Sequence, residues 1–161
     1  MPRVLTTDRL ILRGTLRDDA GLIDTLLSDA DVRRFLGGPV PLAQRAGRVA
    51  EYLRAGAEET VWIVQTKAPG RAIGLVSLSE HHDGPDTELS YQFHPDTWDQ
   101  GYATEAARKL LDFALEDLGH DRIIAETQVA NAASRRLLAR LGMAEVRRLT
   151  RFGAAQVIYS T

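Results

Sequence analysis

The chain has 161 residues, 44% of them hydrophobic and 26% charged, with a formal net charge of −2 and no cysteine. That suits one folded domain, 1–161, and excludes disulfides, thiolate nucleophiles and cysteine-ligated zinc; the missing basic excess argues against nucleic acid and acidic membranes as partners. "MPRVLTTDRL" has no apolar leader core and no stretch approaches the ~20 apolar residues of a membrane span, so a cytoplasmic protein is expected.

"RLILRGTL" (Arg9 to Leu16) is aliphatic and reads as a strand. "DDAGLIDTLLSD" places Leu22, Leu26 and Leu27 at helical spacing behind aspartates suited to capping, "DVRRFLGGPVP" ends as a loop, and "LAQRAGRVAEYLRAG" is an amphipathic helix carrying Val49, Tyr52 and Leu53. The period then changes. "TVWIVQTK" and "RAIGLVSLSEH" read as strands joined across "APG", with Trp62 in the core, and "TELSYQF" (Thr87 to Phe93) as a third strand. A long helix follows, with Ala103, Ala106, Ala107, Leu110, Leu111, Ala114 and Leu118 on its apolar stripe and Gly119 as its stop. "RIIAETQV" is a further strand, "NAASRRLLARLG" a helix capped by Asn131, and "EVRRLTRF" with "AQVIYST" a closing hairpin. The order predicts a mixed α/β layer fold.

Between the third strand and the long helix lies "WDQGYATEA", Trp98 to Ala106. A helix starting near Gly101 presents unpaired N–H groups and a partial positive charge, and a residue without a side chain lets an anion such as phosphate approach. A tight strand-to-helix turn needs the same glycine for geometry alone, and on these nine residues the turn is the simpler account.

Taken together, "TTDRLILR", "ELSYQFHPDTWDQGYATEA" and "VANAASRRLLARLGM" resemble, in order and spacing from Thr6 to Met143, the Gcn5-related N-acetyltransferase superfamily. The resemblance is to the branch holding the ribosomal-protein N-terminal acetyltransferases. It implies a mostly antiparallel central sheet flanked by about four helices, with a splayed strand pair forming a wedge for the acyl-CoA arm. It further implies that acetyl-CoA is the co-substrate, with Trp98, Asp99, Gln100, Gly101, Tyr102, Ala103 and Thr104 as its pyrophosphate loop; Trp98 stands where Gln or Arg commonly opens the pattern. The backbone N–H near Phe93 would polarise the thioester carbonyl, Asn131 would hold the pantetheine arm, and Arg140 would meet the CoA phosphates. For Asn131 a plain helix cap is the other reading, one side chain serving one role at a time; for Arg140 it is a solvated charge.

Ser134 matches the place from which a hydroxyl protonates the departing thiolate, a group with pKa near ~8.5 that needs modest help. Decorating a helix turn is its alternative. Glu88 is the candidate base, or orienter of water, against a carboxylate pointing at solvent. An α-amino group with pKa ~7.7–8.0 needs little help from a base, a lysine at ~10.4 much more. Relatives in this branch often carry an acid in the C-terminal hairpin; "RFGAAQVIYST" has none.

Arg33 and Phe35 fall where the family builds its acceptor wall, or else in a basic surface turn. "EHHDG" (Glu80 to Gly84) collects possible metal ligands, but adjacent histidines on a strand face opposite ways, so a solvated turn and no metal are expected. The expectation is an N-acetyltransferase acting on a primary amine, as monomer or homodimer. A weak or inactive acyl-CoA-sensing module is the alternative, and another nucleotide-binding domain ranks last for want of a G-x-G-x-x-G or G-K-[ST] motif.

Overall fold

The computed structural model describes residues 3–161. Strands β1 (Leu5–Thr6) and β2 (Leu10–Arg13) lead to helices α1 (Ala20–Ser28) and α2 (Leu42–Ala57). Strands β3 (Val61–Thr66), β4 (Ala72–Glu80) and β5 (Thr87–Phe93) follow, then α3 (Tyr102–Asp112), β6 (Ile123–Gln128), α4 (Ala132–Arg140), β7 (Ala144–Arg151) and β8 (Ala154–Ser160). The strands form one sheet in the order β1-β2-β3-β4-β5-β6-β8-β7, antiparallel throughout except between β5 and β6. This is the mixed α/β layer fold that the sequence predicts.

Alternation along the central strands sends neighbours to opposite faces. On β3, Trp62 and Val64 join Ala106, Leu110, Leu137 and Leu138 of α3 and α4, while Val61 and Ile63 join Ile23, Leu26 and Leu27 of α1. Two cores therefore sandwich the sheet, each burying apolar side chains at about 25 cal/mol per Å² removed from water.

The parallel pair is the feature that builds the site. β5 and β6 register only at Thr87 with Ile123 and Glu88 with Ile124, whereas β5 stays paired with β4 along its whole length to Phe93. Beyond Glu88 the strands part, so one edge of β5 has no neighbouring strand. A glycine on β4 permits the packing here: a Cβ on Gly74 would lie 2.5 Å from the Gln92 carbonyl oxygen and 2.6 Å from the Phe93 ring.

Three local expectations are corrected, and the closing hairpin, which forms as expected, gains its place in the sheet. The first strand stops at Arg13 rather than Leu16, because the Arg13 guanidinium turns onto Gly14 O and the Asp19 carboxylate. Asp19 does not cap α1 with its side chain; it binds Arg13 and accepts from Leu16 N at 2.6 Å. The long helix is α-helical only to Asp112 and continues as a wider π turn over Phe113–Asp117, in which Leu118 N donates to Phe113 O. The widened turn shifts the helical phase, so Ala114 stays buried and Leu118 emerges 43% exposed. Finally, the closing hairpin inserts β8 beside β6 and leaves β7 at the sheet edge.

Candidate active site

Loop geometry comes first. Gly101 caps α3 in the left-handed conformation (φ +81°), and Asp99 is also left-handed (φ +60°). The glycine thus serves a positive φ that other residues adopt at a cost, in addition to leaving the approach clear. Asp99, Gln100 and Gly101 are exposed, and the amides of Tyr102, Ala103 and Thr104 lie in the first helical turn, where a helix has no carbonyl to offer them. The loop is braced from outside: Arg9 Nη1 donates to Gln100 O at 2.9 Å, and its guanidinium lies 4.3 Å from the centre of the Tyr102 ring. The Trp98 indole N–H donates to Phe93 O at 2.9 Å, tying the loop to the end of β5.

Main-chain direction on β5 follows from one bond. His94 N donates to Ile73 O at 2.8 Å, so in the antiparallel alternation His94, Gln92 and Ser90 face β4 while Tyr91 and Phe93 face the gap beside β6. With its carbonyl taken by Trp98, Phe93 keeps its N–H directed at that gap.

Across the gap, Asn131 Oδ1 accepts from Ser134 N at 3.1 Å and caps α4. The two readings of Asn131 are not exclusive after all, because an amide has two ends and the cap uses only Oδ1. Ser134 is hydrogen-bonded through Oγ to the phenol of Tyr91. Arg140 is exposed on the last turn of α4, its carbonyl accepting from Arg108 Nη2 at 2.5 Å.

Glu88 occupies the other face of β5 and does not point at solvent. Its Oε2 accepts from Glu126 N at 3.1 Å across the last paired step, and burial raises its pKa above the ordinary glutamate value. Next to it on β6, the Glu126 side chain, 7% exposed, binds His81 Nε2 at 2.9 Å and Arg151 Nη2 at 3.0 Å. Arg151, from the end of β7, also holds Asp83. The expected solvated turn over "EHHDG" is therefore corrected for His81, whose side chain is 3% exposed. The opposite-faces argument fails too: β4 ends at Glu80, and the rings of His81 and His82 stack with centroids 4.4 Å apart. His81, His82, Asp83 and Glu126 bring ligand atoms within 4.8 Å of one another. Both carboxylates hold the Arg151 guanidinium, which supplies compensating positive charge.

The expected acceptor wall closes on itself. Arg33 donates to Leu36 O at 2.6 Å and Gly38 O at 3.0 Å, which makes it a staple of its own turn rather than a free cation. Phe35 is half-buried, and its carbonyl accepts from Gln128 Nε2 at 3.3 Å, which fastens this turn to the splayed part of β6. On the same face Gln92 Nε2 donates to Tyr52 of α2 at 3.1 Å, and Gln92 Oε1 is buried without a partner.

Residues that sequence reasoning missed are Tyr91, Gln92, Glu126, Arg151 and Arg9. Tyr91, Gln92 and Arg9 lay within quoted motifs, but only the fold brings them to their partners. Two cavities of about 430 and 340 Å³ open around Pro85, Asp86 and Arg122, at the opposite end of β5 from Gly101.

Residues 9–144 match the family model described as "Acetyltransferase (GNAT) domain". The chain is 29% identical over 146 residues to "Uncharacterized N-acetyltransferase YoaA" of Bacillus subtilis, covering 86% of this chain and 81% of that one. Its fold is similar to that of a GNAT-family acetyltransferase from Bacillus anthracis, with a TM-score of 0.85, 20% identity and 99% and 98% of the two chains covered. A ribosomal-protein-S5-alanine acetyltransferase from Vibrio fischeri has a similar fold at a TM-score of 0.76, 16% identity and 99% and 96% coverage.

Proposed function

Because this chain belongs to the GNAT acetyltransferase family, we propose that it moves an acetyl group from acetyl-CoA to a primary amine by direct attack in a ternary complex. The acceptor is the α-amine of a peptide or protein, or a small-molecule amine. The observation that carries this reading is the parting of β5 from β6 directly before an open helix start: a slot with unpaired main chain on one wall leads to a cluster of unpaired amides at Gly101.

In this reading the amides from Asp99 to Thr104 bind the pyrophosphate, assisted by the positive end of α3. Arg9 neutralises Glu105, which would otherwise set a negative charge within the first turn. Phe93 N–H donates to the acyl oxygen as negative charge gathers there. Asn131 donates through the amide end that its cap leaves over. Glu88, kept partly protonatable by burial, takes the proton that the amine sheds, directly or through water. Ser134 donates to the departing sulfur, next to a helix start that favours negative charge. Nitrogen thereby loses one proton and sulfur gains one, and water carries the proton from Glu88 back to Ser134, which restores both side chains.

No helix among the described residues is long and apolar enough to cross a membrane. Calorimetry with CoA and acetyl-CoA, paired with thiol release over a panel of peptide and small amines, tests the reading. Binding in the micromolar range that weakens with salt, together with amine-dependent thiol release, is expected. Binding without release would instead make the chain an acyl-CoA-sensing module, the reading that the lack of an acid in "RFGAAQVIYST" favours. No heat with either ligand would remove both.

A further inference from the structure

The hydrogen bond between Tyr91 and Ser134 spans the mouth of the gap, from β5 beyond the point of parting to the first turn of α4. Hydroxyl pairs have a preferred direction. A phenol is the stronger acid, and its oxygen, conjugated with the ring, is the poorer acceptor, so the phenol donates and the serine oxygen accepts. Ser134 then keeps its own hydrogen, free to rotate about Cβ–Oγ. The main-chain end of this serine is held as well, because Ser134 N donates to Asn131 Oδ1 at 3.1 Å. Both the oxygen and the peptide of Ser134 are thus pinned, and the one unassigned element of the residue is its proton. The neighbouring phenol oxygen, that of Tyr159, accepts from Arg135 Nε at 3.3 Å.

We propose that Tyr91 is a positioning residue for acyl transfer, holding Ser134 Oγ as an acceptor so that the serine hydrogen points into the gap at the departing sulfur. This rests on the reading of Ser134 as the thiolate's proton donor. As the carbon–sulfur bond breaks, the serine hydrogen passes to sulfur while water returns to Ser134 Oγ the proton that the amine shed, so serine and phenol both end as they began. Burial pushes the phenol of Tyr91 up to about 12, so it stays protonated, and remains a donor, across the neutral and mildly alkaline range.

The test is a double-mutant cycle on the whole chain with Tyr91→Phe, Ser134→Ala and both together, each measured for maximal rate, acetyl-CoA KM and CoA affinity. Phenylalanine keeps the ring, and the CoA affinity reports that the fold survives. Tyr91→Phe is expected to lower kcat roughly 3- to 10-fold with KM within about twofold, less than the loss of the donor itself. In the Ser134→Ala background it is expected to do nothing further, since there is then no hydroxyl to orient. An equal fall in both backgrounds would mean that Tyr91 acts through packing, and would overturn the proposal. Unchanged kcat in Tyr91→Phe beside a slow Ser134→Ala variant would sink this inference alone. Full activity in Ser134→Ala would remove the donor reading and this inference with it.

Discussion

Arg9 and Glu105, ninety-six positions apart, meet twice: Arg9 N donates to Glu105 Oε1 at 3.0 Å and Arg9 Nε to Glu105 Oε2 at 2.7 Å. The same guanidinium reaches Gln100 O, so a residue on the turn before β2 braces both the helix start and the loop leading into it.

Arg9→Ala should therefore weaken CoA binding by about fivefold, roughly 1 kcal/mol of lost preorganisation, at little cost to the fold because the pair is half exposed. Burial alone would raise the Glu105 pKa, but hydrogen bonds from Thr7 and Arg9 outweigh it and hold the carboxyl below its ordinary value. The pair's contribution is accordingly full above the ordinary glutamate range and lost as pH falls through the depressed folded value. Thermal melts of wild type and variant should converge on acidification. Identical CoA affinity in the two proteins would show that the brace does nothing for the loop.

Gly101→Val is expected to fold with a loss of about 1–2 kcal/mol, since the φ of +81° is strained for a branched residue and its Cβ would lie 3.3 Å from Arg9 Nη2. Its CoA affinity should fall at least ~10-fold, or ~1.4 kcal/mol, because the side chain covers the amides that the phosphate needs. Calorimetry on the folded variant decides the matter: unaltered affinity would mean that this turn is not the phosphate loop.

Glu88→Gln should lower kcat by about 100-fold if the carboxylate takes the amine's proton. The acid limb of the wild-type rate profile should lie above the ordinary glutamate range, as the raised pKa requires, and should be missing from the variant. Stability should move the other way. A carboxyl whose folded pKa is raised penalises the fold at pH values above its unfolded pKa, so the neutral glutamine, still able to accept from Glu126 N, should leave the melt unchanged or higher at neutral pH. A variant with wild-type rate and profile would take Glu88 out of the chemistry.

Arg151→Met should destabilise the domain by about 3 kcal/mol, because it leaves the Glu126 carboxylate, 7% exposed, without its cation. At this chain length that is a fall in melting temperature of roughly 10 °C, measurable by calorimetry. A shift of a degree or less would show that His81 alone compensates Glu126.

What could be read from the sequence was what has a short period or a local steric cause. The apolar spacing of Ala107, Leu110 and Leu111 marked α3, and Gly101 marked its start, because helix faces and left-handed turns are written within a few residues. The insertion of β8 between β6 and β7 was hidden, since strand order depends on pairings across the chain that no local window records. His81 was misjudged for a related reason: alternation holds only inside a strand, and β4 ends one residue earlier, at Glu80. Nothing local marks Tyr91, because its partner, Ser134, lies forty-three residues away.

The two-step pairing of β5 with β6 has a consequence for how such a chain can vary. A wall made of peptide N–H and C=O groups is specified by the path of the strand and hardly at all by which side chains hang from it. Side chains on the face bearing Glu88, Ser90 and Gln92 can be exchanged without altering the rail on which a donor would seat, so the choice of acceptor is free to drift while the grip on the donor is carried forward intact. Insertion or deletion is the change that rail would not tolerate. Shifting β5 by one residue exchanges the groups that face β4 with those that face the gap, and would turn Phe93 N–H away from the slot in a single step.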